Sequence, residues 1–511
     1  MPFFTLTKKR VARLSDAKSP KNLATLTEAE LRLYAQARRP KISAGNVSRT
    51  EYQVADEWRD VAHGKRYRII TYGCQMNEHD TEALAGLLKA MGYEETAVNE
   101  EADLILFNTC AVRENPENKV FGEIGRLRPL KRRNPELLLG LCGCMAQEKV
   151  VQAKVQTTYP WIDLVFGTHN IHRLPDLVMQ AVHSQETVLE VWDKSDTIYE
   201  HMPKVRKAGV RAWVNIQYGC NKFCTYCVVP HTRGRERSRS KASIVEEVRE
   251  LVEEGFAEVT LLGQNVNDYG LDLSDVDFAD LLYAVGRVDG IKRVRFTTSN
   301  PWNFTDRLIA AIAETDTVCE HIHLPVQAGS NRVLAKMNRG YTREYYLQLV
   351  ARIRAAIPNV ALTTDLIVGF PTETEADFLK TLSLVRDLEY DSAYTFIYSP
   401  RTGTPAAKLL DPLEEAVKKE RLNRLVEVQN VISRRISDRY LGSVERVLVE
   451  GTSKTNDRLL SGRTRSNKIV LVEGAKAWIG EEFPVRITDG NTWTLRGERL
   501  PVSGAQESDG V

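Results

Sequence analysis

No stretch of the 511 residues is apolar for long enough to cross a bilayer, so no membrane-spanning helix is expected. The opening MPFFTLTKKR has no positive segment followed by an apolar one, so no export signal is expected and the expected location is cytoplasmic. Net charge is only +2, too little to announce a nucleic-acid partner, so that inference must rest on local basic clusters. Cysteines number eight, and without export they point away from disulfides and toward metal or redox use. The remainder is ordinary for globular proteins, 42% apolar and 27% charged, and the length predicts about three or four domains.

Three cysteines crowd into GCNKFCTYC, at Cys220, Cys224 and Cys227, with spacing C-x3-C-x2-C. Three thiolates this close can hold three corners of a cubane [4Fe-4S] cluster. No fourth cysteine follows, which leaves one iron open, and an open position on a metal marks chemistry. Zinc would ordinarily show two paired halves rather than an odd third cysteine. Tyr226 stands just before the last cysteine, and the whole motif resembles that of the radical S-adenosylmethionine superfamily. The resemblance implies that the amino and carboxylate groups of S-adenosylmethionine chelate the open iron, with Tyr226 near the adenine.

Residues 1–63 are polar and charged and read as a mobile N-terminal extension, with one short helix over Glu28–Ala37 capped by Thr27. Residues 64–185 alternate short strands and helices, which predicts a parallel sheet covered by helices, flavodoxin-like in class. Cys74, Cys110 and Cys144 each fall just past a predicted strand, so the sheet would bring them to one edge, where such folds place ligands. The plain alternative is three buried structural cysteines. Strand alternation turns Cys142 away from the face of Cys144, and Cys319 reads as structural.

The surrounding words TYGCQMNEHDTE, FNTCAVRENPENKV and GCMAQE are similar to the N-terminal domain of the radical S-adenosylmethionine methylthiotransferase family. That resemblance implies a second, auxiliary [4Fe-4S] cluster on Cys74, Cys110 and Cys144. GCQMN and NTCAVRE are most similar to the branch that acts on isopentenyl-adenosine in tRNA.

Residues 206–440 carry six βα units, which predicts an open, TIM-like (β/α)6 partial barrel with its site at the strand C-terminal ends. Polar residues end several strands. Gly263, Gln264 and Asn265 resemble the segment that holds the cofactor's amino group; Ser299 stands where ribose or carboxylate is bound; Gly369 to Glu373 resemble the segment near the adenine. Thr372 departs from the glycine expected there. The run PHTRGRERSRSK follows the cluster motif, and its Arg233, Arg235 and Arg239 are expected to meet substrate phosphate or cofactor. Residues 441–504 alternate short strands and turns, which predicts a small β-barrel similar to the TRAM module, with Arg458, Arg463 and Arg465 as RNA contacts. The alternative is a structural cap.

The resemblance implies methylthiolation of carbon 2 of N6-isopentenyladenosine 37 in a tRNA anticodon stem-loop, by radical chemistry at two clusters with no side-chain acid or base. It implies a one-electron donor such as flavodoxin, a sulfur donor, and S-adenosylmethionine both as radical source and as methyl donor. Rival substrates within the family are threonylcarbamoyl-adenosine in tRNA and a ribosomal-protein aspartate. A rival of another class is a non-catalytic iron–sulfur RNA-binding or redox-sensing protein.

Overall fold

The computed structural model describes residues 47–111, 114–184 and 186–501. The helix expected over Glu28–Ala37 lies outside them. From Ser48 onward the stretch read as an extension is docked: Ser48–Glu51 pairs in parallel with Thr197–Glu200, and Arg49 reaches Asp272 at 2.7 Å.

The first body is a six-stranded parallel sheet in the order Glu94–Glu95, Arg66–Tyr72, Leu104–Thr109, Leu138–Gly143, Leu164–Phe166, Val188–Glu190. This is the flavodoxin-like order with one strand added. Leu104–Thr109 and Leu138–Gly143 are buried at every position, as strands covered on both faces must be. One face packs on Gln75–Ala90 and Leu174–His183 through Leu84, Leu87, Leu88, Leu177 and Val178. The other packs on Glu114–Arg133 and Lys149–Thr158 through Phe121, Ile124, Val151 and Val155. Strand order reverses between Arg66–Tyr72 and Leu104–Thr109, which opens a crevice at their carboxyl ends.

The second body is a partial barrel of six parallel strands. Arg211–Asn215, Glu258–Leu262 and Arg293–Thr297 form one half, and His321–His323, Ala361–Val368 and Ser392–Ile397 the other. A bridge between Val294 and Val318 links them. Among the described residues no pairing joins the last strand to the first, so the wall is open at that seam.

The long helix Glu415–Asp438 leads to a closed five-stranded barrel in the order Val444–Thr452, Leu459–Thr464, Ile469–Glu473, Thr494–Arg499, Glu482–Gly490. Its alternating apolar side chains, among them Val447, Val470, Val485 and Ile487, fill its interior. Leu448 packs on Val210 and Ala257, which precede two strands of the larger barrel. The small barrel therefore caps the amino ends of those strands, opposite the carboxyl ends where a TIM-like site lies.

Candidate functional site

Cys74, Cys110 and Cys144 follow three adjacent strands of the first sheet, at the carboxyl edge and astride the order reversal. Two buried asparagines brace their loops. The Asn77 amide donates to Asn108 Oδ1 at 3.1 Å and to the Thr109 carbonyl at 3.2 Å, and its Oδ1 accepts from the Cys74 N–H at 3.3 Å. Asn108 returns a bond to the Asn77 carbonyl at 2.8 Å. Gly143, at φ 90°, has no room for a side chain, since a Cβ would lie 2.5 Å from Asn108 Oδ1. That close approach delivers Cys144 beside the other two. Cys74 caps helix Gln75–Ala90, and its thiol is lowered to about 6, first by a hydrogen bond with Cys110 and further by the Arg233 cation. Burial pushes the Cys144 thiol up, with Arg233 acting against it. Cys142 packs with Leu106, Leu138 and Leu164 in the apolar core, turned away from the trio.

The loop of Cys220, Cys224 and Cys227 leaves the first barrel strand at its carboxyl end. Gly219, at φ 72°, lets that loop meet the segment after it: a Cβ there would lie 2.1 Å from the Arg235 carbonyl. The Cys220 N–H donates to the Gly234 carbonyl at 3.0 Å. Burial pushes the Cys220 thiol well up, with Glu236 adding to it, and pushes Cys227 up to about 12. Arg339 lies buried against this loop. It donates to Cys224 Sγ at 3.2 Å, the Tyr226 hydroxyl at 3.3 Å, the Tyr341 hydroxyl at 2.9 Å and the Pro325 carbonyl at 2.9 Å. Among the described residues it has no carboxylate partner. A buried cation of this kind calls for a negative neighbour, and a cluster on three thiolates supplies one. Among the described residues no three His, Cys, Asp or Glu side chains converge on a point that would hold a single metal ion. A cubane takes one thiolate per iron, and a set of three thiolates suits it.

The two cysteine loops come into contact at Val228. Val228, directly after Cys227, packs on Cys144 and Ala111. Around it the two bodies are joined by polar contacts. Arg233 pairs with Asp80 at 2.7 Å, both buried, and Thr168 Oγ1 donates to the Thr232 carbonyl at 2.6 Å. Glu247 gathers Lys204, Arg206 and Arg239 into one buried ionic cluster.

These contacts correct the reading of the basic run. It is folded: Val229–Thr232 is a helical turn and Arg237–Ser238 pairs antiparallel with Gln217–Tyr218. Arg233 and Arg239 lie inside the protein, committed to Asp80 and Glu247, while Arg235 is exposed. The small barrel repeats the pattern. Arg463 pairs with Glu450 at 3.1 Å on the neighbouring strand of the same small barrel, Arg465 pairs with Glu320 of the larger barrel at 2.6 Å and so docks the two, and Arg458 alone of the three is exposed. Buried Arg293 completes the junction, donating to Glu482 Oε1 at 2.7 Å, the Arg463 carbonyl at 2.7 Å and the Arg446 carbonyl at 2.9 Å.

At the barrel mouth, Gly263, Gln264, Asn265 and Ser299 line the strand ends. Asn265 is buried with both amide atoms unpartnered, and the Ser299 hydroxyl is buried and unpartnered too. Orphan polar groups of this kind are what a polar cofactor satisfies. Glu373 is otherwise engaged: its Oε2 accepts from the Gly369 N–H at 2.9 Å and from Arg421 at 2.8 Å, which ties the long helix to the strand end. Glu373 thus fastens the long helix at the strand end where it was expected to meet the cofactor. Thr372 lies at φ 73°, a region that strains a β-branched residue and explains why glycine suits the position.

Arg339, Asp80 and the two asparagines were absent from the sequence expectations. Asp80 and Asn77 lie within TYGCQMNEHDTE, where a signal was available. Arg339 has none, because only folding brings it to a loop so distant in the chain.

Comparison with known proteins now adds three family matches: the Radical SAM superfamily over residues 214–385, Uncharacterized protein family UPF0004 over 66–167, and the TRAM domain over 438–500. The tRNA-2-methylthio-N(6)-dimethylallyladenosine synthase of Geobacillus thermodenitrificans (strain NG80-2) is 56% identical over 450 residues, covering 88% of this chain and 86% of that one. The synthase of the same name from Bacillus licheniformis is 54% identical over 452 residues, covering 88% and 89%. Among solved structures, the radical S-adenosylmethionine methyltransferase TsrM from Kitasatospora setae, with cobalamin and a [4Fe-4S] cluster bound, is 14% identical, covers 67% of this chain and 77% of that one, and has a TM-score of 0.48.

Proposed function

The chain belongs to the family of tRNA-2-methylthio-N6-dimethylallyladenosine synthases, and from that premise we propose how its own residues serve the reaction. It is a radical S-adenosylmethionine methylthiotransferase that adds a methylthio group to carbon 2 of N6-isopentenyladenosine 37 in tRNA, with two [4Fe-4S] clusters and S-adenosylmethionine as cofactors. When bound, those groups supply the removal of an unactivated hydrogen and the transfer of sulfur and methyl, chemistry that side chains cannot provide.

Cys220, Cys224 and Cys227 hold the cluster that binds S-adenosylmethionine, and Cys74, Cys110 and Cys144 hold the auxiliary one. The observation that supports this assignment is the packing of Val228, the residue after Cys227, on Cys144 and Ala111, which brings the two cysteine loops into contact. Tyr226, Gly263, Gln264, Asn265, Ser299 and Gly369 surround the cofactor at the barrel mouth, and the unpartnered amide of Asn265 and hydroxyl of Ser299 support this. Residues 64–185, 206–440 and 441–504 form the three working units, with 1–63 preceding them. Of the six arginines expected to meet RNA, Arg235 and Arg458 are exposed and available to its phosphates. A one-electron carrier such as flavodoxin and a separate sulfur donor feed the reaction, and the tRNA substrate favours the cytoplasm. Among the described residues no helix is long and apolar enough to cross a membrane.

The test is anaerobic reconstitution with iron and sulfide, followed by S-adenosylmethionine, reductant and tRNA carrying isopentenyl-adenosine. Mass spectrometry of the digested nucleosides should show the methylthio-isopentenyl product, absent in Cys220→Ala and in Cys110→Ala. Deoxyadenosine without that product would redirect the search to threonylcarbamoyl-adenosine or a ribosomal-protein aspartate. Neither product from an iron-loaded sample would overturn the enzymatic reading.

A further inference from the structure

The last strand of the partial barrel, Ser392–Ile397, carries two large aromatic side chains that the protein leaves open. Tyr394 is 57% exposed and Phe396 39%. Side chains alternate along a strand. Ala393 and Ile397 pack against the apolar core, so Tyr394 and Phe396 point the other way, into the barrel. Inward side chains of a closed barrel fill it; these two stand at the open seam and keep much of their surface exposed. Register places Tyr394 beside Asp365 and Phe396 beside Ile367. His323 lies one strand further, with Nε2 3.5 Å from Asp365 Oδ1, and it meets the Tyr394 ring edge-on at 5.7 Å between centroids. The His323 carbonyl accepts from the Ser299 N–H at 3.3 Å, so this wall runs directly into the cofactor mouth.

We propose that Tyr394 and Phe396 form the platform that receives the target adenine, Tyr394 stacking on the base while Phe396 with Ile367 takes its branched apolar N6 substituent. This rests on the proposed function and names the residues by which that site selects its substrate. A base lifted from its stack needs a flat surface to replace its neighbours, and aromatic side chains supply it. An exposed apolar pair within a polar mouth also marks a place for a ligand that is itself part apolar. An aspartate side chain, the protein-substrate rival, has no face to stack and no apolar group to bury.

The experiment measures binding of two synthetic anticodon stem-loops to the cluster-loaded full chain, one with isopentenyl-adenosine at the target position and one with plain adenosine. Wild type should prefer the isopentenylated loop. Tyr394→Ala should weaken both loops about tenfold, and Tyr394→Phe should restore them. Phe396→Ala should weaken only the isopentenylated loop, about fivefold or more, and abolish the preference. The salt dependence should stay unchanged, since no phosphate contact is removed. Alanine variants with wild-type circular dichroism and cluster absorbance that keep both affinities and the preference would overturn the proposal. Failure of wild type to bind either loop would overturn the substrate reading itself, which separates the two outcomes.

Discussion

Cys220, Cys224 and Cys227 lie in one short loop, so their approach is set by local chain geometry. Cys74, Cys110 and Cys144 come from three strands and meet only because the sheet holds those ends together. Each trio has a buried arginine beside it, and the two arginines differ in what balances them. Arg233, next to Cys74 and Cys144, is already paired with Asp80. Arg339, next to Cys224, has hydroxyls, a carbonyl and sulfur but no carboxylate among the described residues. The first arginine is part of the fold whether or not iron is present. The second would find its counter-charge in the cluster proposed on Cys220, Cys224 and Cys227. The difference teaches that a cation at a metal site can serve the scaffold or the metal, and that its other partners tell which.

The sharpest way to break this comparison is Arg233→Met. It strands the buried Asp80 carboxylate and should cost about 3–5 kcal/mol in the iron-free protein, read by urea unfolding. A loss under about 1 kcal/mol would show that Asp80 does not depend on it. The next effect comes from His169, whose ring abuts Gly234 at the junction of the two bodies. Burial, aided by the Arg237 and Arg233 cations, lowers it from its usual 6.5 to about 4. The unfolded chain therefore binds the extra proton first, and the stability held above pH 6.5 is lost as pH falls toward 4. The loss should be roughly 3 kcal/mol across that window. His169→Gln should flatten the pH dependence of unfolding, and an unaltered slope would remove His169 from the junction.

Cys142→Ala sharpens the membership of the auxiliary trio. It should cost about 1 kcal/mol of packing yet leave the iron content of a Cys220→Ala background unchanged, whereas Cys144→Ala should empty it. Equal iron loss in both would end the distinction. The smallest effect on stability is expected for Arg339→Met, under about 1 kcal/mol in the iron-free protein, because no carboxylate is stranded. With iron bound, in a Cys110→Ala background that leaves the cluster beside Arg339, the same change should move reduction of that cluster to lower potential, followed by spectroscopic titration. A loss as large as that of Arg233→Met would mean that the two arginines serve the scaffold alike.

Much of the architecture was legible from periodicity and spacing. The parallel sheet, the six βα units and the small barrel all follow from runs such as LILFNT and LLGLCG, buried on both faces, and from short alternating strands near the end of the chain. The basic residues were not legible. A run of arginines looks alike in sequence whether it faces water or a carboxylate, and Arg233, Arg239, Arg463 and Arg465 all found carboxylates on other segments. The fastening part of Glu373 was not legible for the same reason, since Arg421 reaches it from a helix much later in the chain.

The sequence by itself determined the chemistry: six cysteines in one contiguous and one dispersed set, with the motif words that tie them to a family. Residue type and local spacing decide what a thiolate can ligate. Tertiary structure alone decided which charges are working surface and which are internal fasteners. It placed Val228 against Cys144, Arg339 against Cys224, and Tyr394 and Phe396 on an exposed wall. Those relations join residues far apart in the chain, and burial, which sets the worth of a charge or an aromatic face, exists only once the chain has folded.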